Sequence, residues 1–415
     1  MSRPIDVGIV GAGTAGAALA LFLSRAGHRV TLYEAVAEPG PVGAGIVLQP
    51  SGQAVLARLD LLGPILEHGA RIDRLRCVRP SASGLRTVVD LDYAMLGAGF
   101  GLGLHRGALF SVLHEAVRAS AVTLRCGMEI ARVEAAGAQR VVITRTGERG
   151  GPHDLVVICD GAGSDIETVD EAPRHVARYR WGAAWFVAPD PEQVFRGELY
   201  QVVDRAAVML GLLPTGSAPG SGGPVVSVYW SVREDRVAAL RAAGLDAFRR
   251  TVLGYEPRAG FVLDALPSMD ALLFTRYRDV TVPWRLSGRR WHGGRTVRIG
   301  DAAHAMSPQL GQGANLALVD AAVLAAAIGD GADLEAGLDA YSRRRRAQLG
   351  YYQLATRWLT PFFQSDSRLL AGLRDVLLPL GMAIPYVRRQ MVTSMAGVHR
   401  GLLRSPLPLG PALTG

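Results

Sequence analysis

A glycine-rich turn near the start of the chain constrains its fold most. Residues 5–10 form a short apolar run typical of a β-strand, the next six residues are Gly-Ala-Gly-Thr-Ala-Gly, and residues 17–26 have the composition of a helix. A second strand-like run, His28–Tyr33, ends at Glu34, which lies 21 residues beyond Gly13. This β-turn-α-β arrangement predicts the first unit of a dinucleotide-binding fold.

The turn has the features needed to hold a pyrophosphate. Its glycines permit a tight turn and a close approach of the backbone, and the helix N-terminus that follows offers free N–H groups and partial positive charge. Glu34 would accept hydrogen bonds from an adenosine ribose, and an acid at this position disfavours a 2′-phosphate. The motif therefore predicts FAD or NAD. The residues predicted to bind this part of the cofactor are Gly11, Gly13, Ala15, Gly16, Glu34 and Ala35.

A second glycine-and-acid turn, near residue 300, favours FAD over NAD. The strand-like run Thr296–Ile299 precedes Gly300 and Asp301, and a glycine-rich loop then leads into a helix. A carboxylate at a strand end can accept hydrogen bonds from a polyol, and the helix start favours the negative charge of a reduced flavin. The residues predicted to bind this part of FAD are Gly300, Asp301, Pro308, Gly311, Gly313, Ala314 and Asn315.

Composition excludes several classes of function. The chain has no lysine, so all 45 basic residues are arginines, and Schiff-base and P-loop lysine chemistry are excluded. Cys77, Cys126 and Cys159 lie far apart, which argues against a disulfide framework or a redox dithiol and predicts a cytoplasmic protein. No metal site is predicted.

The net charge of +8 favours anionic small molecules over nucleic acid as partners. The arginines are spread along the chain, and no nucleic-acid-binding motif is present. The one tight run, Arg343–Arg346, is predicted to be a solvated helix face.

No charge-free apolar stretch reaches about 18 residues, so no integral membrane span is expected. The apolar segment Leu369–Met391 is predicted to be a core or interface helix, with a weak membrane-surface patch as the alternative. A homodimer is compatible with the sequence.

Two further motifs complete a family pattern. Residues 159–164 are Cys-Asp-Gly-Ala-Gly-Ser, and Arg106 stands in His-Arg-Gly-Ala-Leu at residues 105–109. Together with the two turns, these segments resemble the motifs of the single-component FAD-dependent aromatic monooxygenases, which have the p-hydroxybenzoate hydroxylase fold. Within that family the sequence is similar to the salicylate hydroxylase-like and ubiquinone-biosynthesis hydroxylase-like branches. The motifs span residues 8–320, and so most of the chain.

The resemblance implies roles for individual residues. Asp301 would bind the ribityl chain of FAD, and Arg106 the region between the ribityl chain and the phosphates. Asp160 would support both FAD and the arriving nicotinamide cofactor. Pro308, Gly311 and Gly313 would shape the isoalloxazine pocket, while no residue is identified as catalytic because the chemistry is centred on the flavin.

The fold expected is α/β: a Rossmann-like FAD-binding domain interrupted by an antiparallel-sheet substrate domain, with C-terminal helices. Residues 178–280 contain short strand-like runs with aromatic residues and turn signals, which predicts the inserted sheet. Because alternate residues of a strand face opposite sides of a sheet, only about half of these aromatic residues can line a substrate pocket. Within this block residues 214–224 are predicted to form a loop and Arg233–Val252 a helix, and before it Val122–Val133 and Leu155–Cys159 are each predicted to form a strand. The expected FAD-binding domain comprises residues 1–72, 98–177 and 281–365. The substrate domain comprises residues 73–97 and 178–280, and residues 366–415 form a C-terminal helical segment with an irregular tail from Arg404.

The function implied by the resemblance is hydroxylation of an aromatic or polyketide-like small molecule. NAD(P)H would reduce FAD, O2 would add to it, and a flavin C4a-hydroperoxide would transfer the hydroxyl group. The alternatives are epoxidation, Baeyer–Villiger oxidation or non-oxygenating reduction on the same fold, and flavin binding without turnover. A flavin-dependent halogenase is disfavoured, because the chain lacks both lysine and a W-x-W-x-I-P motif.

The chain departs from the family pattern after Ser164. Asp165, Ile166 and Glu167 stand where the family usually has an arginine, so either another arginine makes the NAD(P)H contact or a partner reductase supplies the electrons. His292 is predicted to be a turn histidine and not a base, and His304 to be part of the flavin-loop scaffold. Five aromatic residues are candidates for the substrate pocket, although the sheet core is the safer assignment for each: Trp181, Trp185, Tyr200, Tyr229 and Trp230.

Overall fold

A computed structural model describes residues 4–97, 99–170, 173–283, 290–329 and 333–399. The strands in these ranges are, in chain order, β1 Asp6–Val10, β2 Arg29–Tyr33, β3 Gly45–Leu48, β4 Ala70–Ser81, β5 Gly84–Asp92, β6 Gly101–His105, β7 Thr123–Arg125, β8 Ile130–Ala136, β9 Gln139–Thr144, β10 Arg149–His153, β11 Leu155–Ile158, β12 Glu167–Thr168, β13 His175–Pro189, β14 Gly197–Asp204, β15 Val208–Ser217, β16 Pro224–Arg233, β17 Leu273–Thr281, β18 His292–Gly293 and β19 Thr296–Arg298. The helices are α1 Thr14–Arg25, α2 Pro50–Arg58, α3 Leu62–His68, α4 Arg106–Arg118, α5 Val237–Ala243, α6 Leu245–Tyr255, α7 Gly260–Asp264, α8 Asp301–His304, α9 Gly313–Gly329, α10 Leu334–Phe363, α11 Arg368–Ala383 and α12 Pro385–Met395.

A six-stranded sheet carries the first glycine-rich turn. Its strand order is β18-β19-β11-β1-β2-β7, and every pair is parallel except β18 with β19. Alternate residues of β1 and β11 enter two different cores, which explains why these strands are apolar throughout. One core includes helices α1, α4 and α9, and the other includes the small sheet β10-β9-β8-β12. The predicted strands β1, β2, β11 and β19 are confirmed to within one residue at each end.

The prediction of one continuous strand over Val122–Val133 was wrong. The chain leaves the parallel sheet at the end of β7, and β8 begins in the small sheet instead. Gly127, at φ +74, lies between the two strands. A glycine adopts this left-handed conformation without the steric penalty of a side chain, and so the chain can change sheets here.

A nine-stranded, mainly antiparallel sheet forms the second layer. Its order is β17-β13-β16-β15-β14-β4-β6-β3, and β5 pairs with β4. The inserted sheet predicted for residues 178–280 is therefore present, extended by strands from residues 45–105. One face is fully buried against α6 and α7 through the alternate residues Ala184, Phe186, Tyr200, Val202, Leu210, Leu212, Val228 and Trp230.

Two boundaries within this layer differ from the prediction. Residues 214–224 do not form one loop, because β15 continues to Ser217; its register with β16 shifts after Pro214, so the Pro- and Gly-containing segment forms an irregular strand end. The predicted helix Arg233–Val252 is interrupted by Gly244, which adopts φ +82 between α5 and α6.

Three helices, α10, α11 and α12, come last in the described part of the chain. The prediction that Arg343–Arg346 is a solvated face was wrong for Arg345, which is 1% exposed, whereas Arg343 and Arg344 are exposed. Segment Leu369–Met391 forms two helices, α11 and α12. Within the described ranges no single helix has the length and apolarity to cross a membrane; α11 and α12 meet these criteria only as a pair, and the pair is bent by 105°. The tail from Arg404 lies outside the described residues.

Candidate FAD-binding site

Four predicted motif segments follow four adjacent strands at one edge of the parallel sheet. Gly300 follows β19 after one residue, Asp160 follows β11 after one residue, Gly11 directly follows β1, and Glu34 directly follows β2. Since β19, β11, β1 and β2 are neighbours and parallel, their carboxyl ends lie side by side. The carboxyl edge of an open parallel sheet is where such folds bind ligands.

The two glycine-and-acid turns touch each other. A Cβ atom built on Gly300 would lie 3.1 Å from the Cβ atom of Ala15 and 3.5 Å from that of Ala317. Gly300 adopts φ +60, a conformation that disfavours any side chain. The second turn therefore packs directly on helix α1, and residues more than 280 positions apart in the chain form one site.

The first turn is closed on one side and open on the other. A Cβ atom on Gly16 would lie 1.9 Å from the carbonyl oxygen of Gly11, and one on Gly11 would lie 2.7 Å from that of Cys159. At Gly13, by contrast, a Cβ atom would have nothing within 4 Å, and no side chain caps the N-terminus of α1. Gly11 and Gly16 are thus needed for chain packing, while Gly13 leaves a helix N-terminus open in the way that a pyrophosphate requires.

Glu34 is fixed to the same turn. The backbone N–H of Ala12 donates to Glu34 Oε2 at 2.9 Å, and that of Val36 donates to Oε1 at 3.0 Å. The side chain is half-buried, and each carboxylate oxygen keeps a free lone pair. The arrangement fits an acceptor for the two hydroxyls of a ribose.

The segment after β11 is held by arginines from other parts of the chain. Arg174 donates to the carbonyl oxygen of Ser164 at 2.5 Å, Arg278 to that of Ala162 at 3.1 Å, and Arg298 to the hydroxyl of Ser164 at 3.0 Å. Asp160 itself is exposed, and its pKa is raised because the surrounding protein removes part of its hydration. Three arginines from β-strands and loops elsewhere therefore contact this segment, whose own sequence lacks the family's arginine.

Asp301 and Arg106 lie at two helix starts. The Asp301 carboxylate at the start of α8 points toward α9, since a Cβ atom on Gly313 would lie 3.6 Å from its Oδ1. Arg106, the exposed first residue of α4, lies over Gly43, where a Cβ atom would lie 3.1 Å from the Arg106 Cδ. Both side chains retain the polar surface that a ribityl chain or a phosphate needs.

The side chain of Asn315 fixes the loop before α9. Asn315 Oδ1 accepts from the N–H of Gln49 at 2.8 Å, and its Nδ2 donates to the carbonyl oxygens of Val47 at 3.0 Å and Gly311 at 3.1 Å. The buried Asn315 side chain therefore ties the start of α9 to β3. Pro308 and Gly311 are exposed, and Gly311 adopts φ +60 with no atom near its side-chain position. Backbone is thus left open for a flat ring near Gly313 and Ala314.

A buried ion cluster that the sequence reasoning missed supports the second turn. Asp320 Oδ2 accepts from the backbone N–H of Gly300 at 2.8 Å and lies 2.5 Å from His304 Nε2, while its Oδ1 accepts from Arg345 Nε at 2.6 Å. Burial would raise the pKa of Asp320, but the charges and hydrogen bonds of His304 and Arg345 hold it well below its ordinary value. The prediction that His304 is scaffold agrees with this position. The signal available was a single acid within the apolar run Leu316–Ile328.

The half-buried face of the nine-stranded sheet lies against β3, the strand that Asn315 ties to the start of α9. Tyr229 donates from its hydroxyl to the carbonyl oxygen of Gly45, and the N–H of Gly45 donates to the hydroxyl of Ser227 at 2.8 Å. On the same face as Tyr229, and also half-buried, are Trp185, Val187, Gln201 and Met209. This mixed polar and apolar wall suits an aromatic ligand.

The aromatic candidates separate according to strand alternation. Tyr200 and Trp230 are buried on the opposite face, where Tyr200 stacks on Phe195 and Trp230 meets Phe248 edge-on, and so they belong to the sheet core. Trp181 is also buried, whereas Tyr229 lies on the half-buried face against β3, and Trp185 lies on that face with its Nε1 bonded to Thr275. Burial raises the pKa of Tyr229, so its phenol is neutral.

His292 lies away from the four motif segments. It is in β18, the edge strand, and its Nε2 is 3.0 Å from Asp339 Oδ1 of α10. Burial lowers its pKa despite this carboxylate. Its role is therefore structural, in keeping with the preference for a non-catalytic histidine, although it belongs to a strand and not to a turn.

Known proteins show the same pattern over most of the chain. The family model for the FAD binding domain matches residues 4–241 and 274–350. The chain is 30% identical to 3-amino-4-hydroxybenzoate 2-monooxygenase of Streptomyces cremeus over 342 residues, covering 78% of each chain. It is 29% identical to 6-hydroxynicotinate 3-monooxygenase of Pseudomonas fluorescens over 344 residues, covering 78% of this chain and 83% of the relative.

A solved structure shares the fold. Klebsiella pneumoniae HpxO, determined in complex with FAD and uric acid, superimposes with a TM-score of 0.72 at 20% identity, covering 94% of this chain and 97% of HpxO. Family match, curated relatives and fold agree with the motif geometry at the carboxyl edge of the parallel sheet. The chain belongs to the FAD-dependent aromatic monooxygenases, whose FAD binding domain it carries.

Proposed function

We propose that this monooxygenase uses NAD(P)H and O2 to hydroxylate an electron-rich aromatic ring of a small aromatic or polyketide-like molecule. The observation that carries the proposal is that both parts of the site contact β3: Asn315, in the second glycine-rich turn, donates to Val47, and Tyr229, on the half-buried sheet face, donates to Gly45. Hydroxylated benzoate and pyridine rings, named for two relatives, are the substrate class with which to begin.

Each part of the site has a separate task. The α1 N-terminus at Gly13 would hold the pyrophosphate, Glu34 the adenosine ribose, and Asp301 the ribityl chain. When bound, FAD would supply the redox chemistry that activates O2. The sheet wall would hold the ring and exclude water from it.

Two half-buried arginines on the Asp160 segment support reduction by a nicotinamide cofactor. Arg174 and Arg278 bring positive charge beside this segment, to which the phosphates of NADH or NADPH would be attracted, whereas Arg298 is buried and fixes Ser164. The free state of all three cysteines is in keeping with a reducing cytoplasm as the place of the reaction.

Three measurements on the purified holoenzyme test this function. Anaerobic mixing with NADH or NADPH should bleach the flavin absorbance, aromatic substrate should stimulate NAD(P)H oxidation in air, and the product should contain oxygen from 18O2. Reduction without 18O incorporation would favour a non-oxygenating flavoenzyme. Absence of reduction by either nucleotide, with candidate substrates present, would instead favour a flavin-binding protein without turnover or dependence on a partner reductase.

Asp301→Ala is expected to lower FAD affinity. The variant removes a carboxylate placed to accept hydrogen bonds from the ribityl hydroxyls, and bonds to a charged group contribute about 1.5–3 kcal/mol, roughly tenfold or more in affinity. FAD occupancy after purification and a fluorescence titration measure the effect. Asp264→Ala, which removes an exposed carboxylate from α7, is the matched control. Unchanged FAD affinity in Asp301→Ala would contradict the assignment.

Tyr229→Phe is expected to alter substrate binding but not FAD binding. The phenylalanine ring keeps the wall while the bond to Gly45 is lost, a change of about 1 kcal/mol or roughly fivefold in KM. Steady-state kinetics, with product formed per NAD(P)H consumed, measure it. Tyr255→Phe removes a hydroxyl bonded to Asp204 on the far side of the sheet and should have wild-type kinetics. Equal kinetics in both variants would remove Tyr229 from the substrate wall.

A further inference from the structure

Helix α11 presents its apolar side to solvent. Leu369, Leu373, Val376, Leu377 and Leu380 recur at helical spacing, and their side chains are between 41% and 72% exposed. Ile384, which follows the helix, is 52% exposed. None of the residues that the structure describes covers this stripe, which we define, with Ile384, as the C-terminal apolar face. A contiguous apolar stripe of this kind marks an interaction surface.

The buried side of the same helix carries an arginine. Arg374 is 1% exposed and donates to the carbonyl oxygens of Arg205 at 2.6 Å and Phe362 at 3.2 Å. A helix of a water-soluble domain ordinarily turns its apolar residues inward and its charges outward. Helix α11 packs Leu378 and Met382 against the core, yet it buries an arginine and leaves five further apolar side chains outward, which packing within the described residues does not explain.

The helices on either side expose residues suited to a membrane interface. Trp358 of α10 is 72% exposed and Tyr386 of α12 is 69% exposed. Tryptophan and tyrosine combine an apolar ring with a polar group and concentrate where lipid meets water. Helices α11 and α12 have 16 and 11 residues and meet at 105°, which suits segments lying along an interface.

Charge favours an anionic surface over a second copy of the chain. Arg368, Arg388 and Arg389 are exposed, whereas the single carboxylate within residues 368–395, Asp375, is bound by Arg374 at 2.7 Å and by Arg79 at 3.4 Å. A two-fold dimer through this face would bring two copies of the same net positive surface together. Anionic phospholipid headgroups would instead attract each of them.

We propose that the C-terminal apolar face binds the surface of a bilayer containing anionic phospholipid, with α11 lying in the interface and Arg368, Arg388 and Arg389 at the headgroups. The apolar side chains leave water on binding, and the arginines set the preference for anionic lipid. This docking would place the enzyme at the membrane without a spanning segment.

Vesicle flotation of the FAD-loaded full chain tests the proposal. Wild-type protein should float with phosphatidylcholine vesicles that contain phosphatidylglycerol and much less with phosphatidylcholine alone. The double variant Leu377→Glu, Leu380→Glu should reduce binding roughly tenfold or more, since two buried side chains are lost. The control Leu273→Glu, at an exposed leucine of β17, should bind like wild type. Replacing Arg388 or Arg389 by alanine should weaken binding roughly fivefold each at low salt.

Other results would overturn the proposal. One is that wild-type protein binds weakly and equally to both vesicle types. Another is that the double variant binds vesicles as well as the wild type does while its flavin absorbance is normal. A dimer in analytical ultracentrifugation that the double variant dissociates would assign the face to a second copy. Hydrogen-exchange protection of α11 in the lipid-free monomer would assign it to another segment of the chain itself.

Discussion

Gly13→Val is expected to weaken FAD binding roughly a hundredfold while leaving the apoprotein folded. The side chain of residue 13 would project into open space at the N-terminus of α1, where it meets no protein atom within 4 Å but would occupy the place of the pyrophosphate. Loss of two hydrogen bonds to a charged group corresponds to about 3 kcal/mol or more, roughly a hundredfold in affinity. FAD titration and the thermal midpoint of the apoprotein measure the two effects separately.

Gly16→Ala is the control that reverses this pattern. Its Cβ atom would lie 1.9 Å from the carbonyl oxygen of Gly11, so the backbone must shift and stability should fall by about 2–3 kcal/mol. The assignment of the pyrophosphate site to Gly13 fails if Gly13→Val retains wild-type FAD affinity. It also fails if that variant loses as much apoprotein stability as Gly16→Ala, because residue 13 would then serve packing.

Asp320→Ala is expected to be the most destabilising substitution in the site. It leaves His304 and Arg345 buried without their carboxylate and frees the N–H of Gly300. Removing one partner from a buried ion pair typically destabilises by about 3–5 kcal/mol. Urea unfolding and FAD occupancy should both show the loss. An exposed ion pair provides the control: Asp73→Ala, which breaks a surface bond to Arg71, should change stability by less than about 1 kcal/mol.

The Asp320 effect should depend on pH in a defined direction. Because the folded-state pKa of this carboxyl lies below its ordinary value of 3.8, the charge stabilises the fold fully above that pH and progressively less as pH falls below it. The stability difference between wild type and Asp320→Ala should therefore be constant from neutral pH down to about pH 5 and shrink below about pH 4. A difference that already shrinks near pH 6 would contradict this assignment to Asp320.

Local patterns predicted the parts of the site that depend on local backbone. The turns at Gly11–Gly16 and Gly300–Asp301 directly follow short strand-like runs, and each turn demands glycine for a steric reason visible in the structure. Strand alternation also predicted that only part of the aromatic set could face the ligand. Tyr229 and Trp230 are neighbours in sequence and lie on opposite faces for this reason.

Long-range pairing set the limit of prediction. Nothing near Arg345 in the sequence distinguishes it from the exposed Arg344; its burial follows from Asp320, 25 residues earlier on another helix. The arginines that bind the Asp160 segment likewise come from distant strands and loops. For Leu369–Met391 the prediction was a core or interface helix, and the outward leucines of α11 do not fit a core helix. The sequence could not show this, because the contacts that bury Arg374 lie in the loop after β14 and at the end of α10.

A crystal structure of the chain with FAD tests the central claim most directly. We expect one FAD whose pyrophosphate lies at Gly13 and whose adenosine ribose contacts Glu34. Its isoalloxazine ring should lie beside Gly311–Ala314 and opposite Tyr229. A flavin held by only one of the two turns, or one whose ring points away from the nine-stranded sheet, would contradict it.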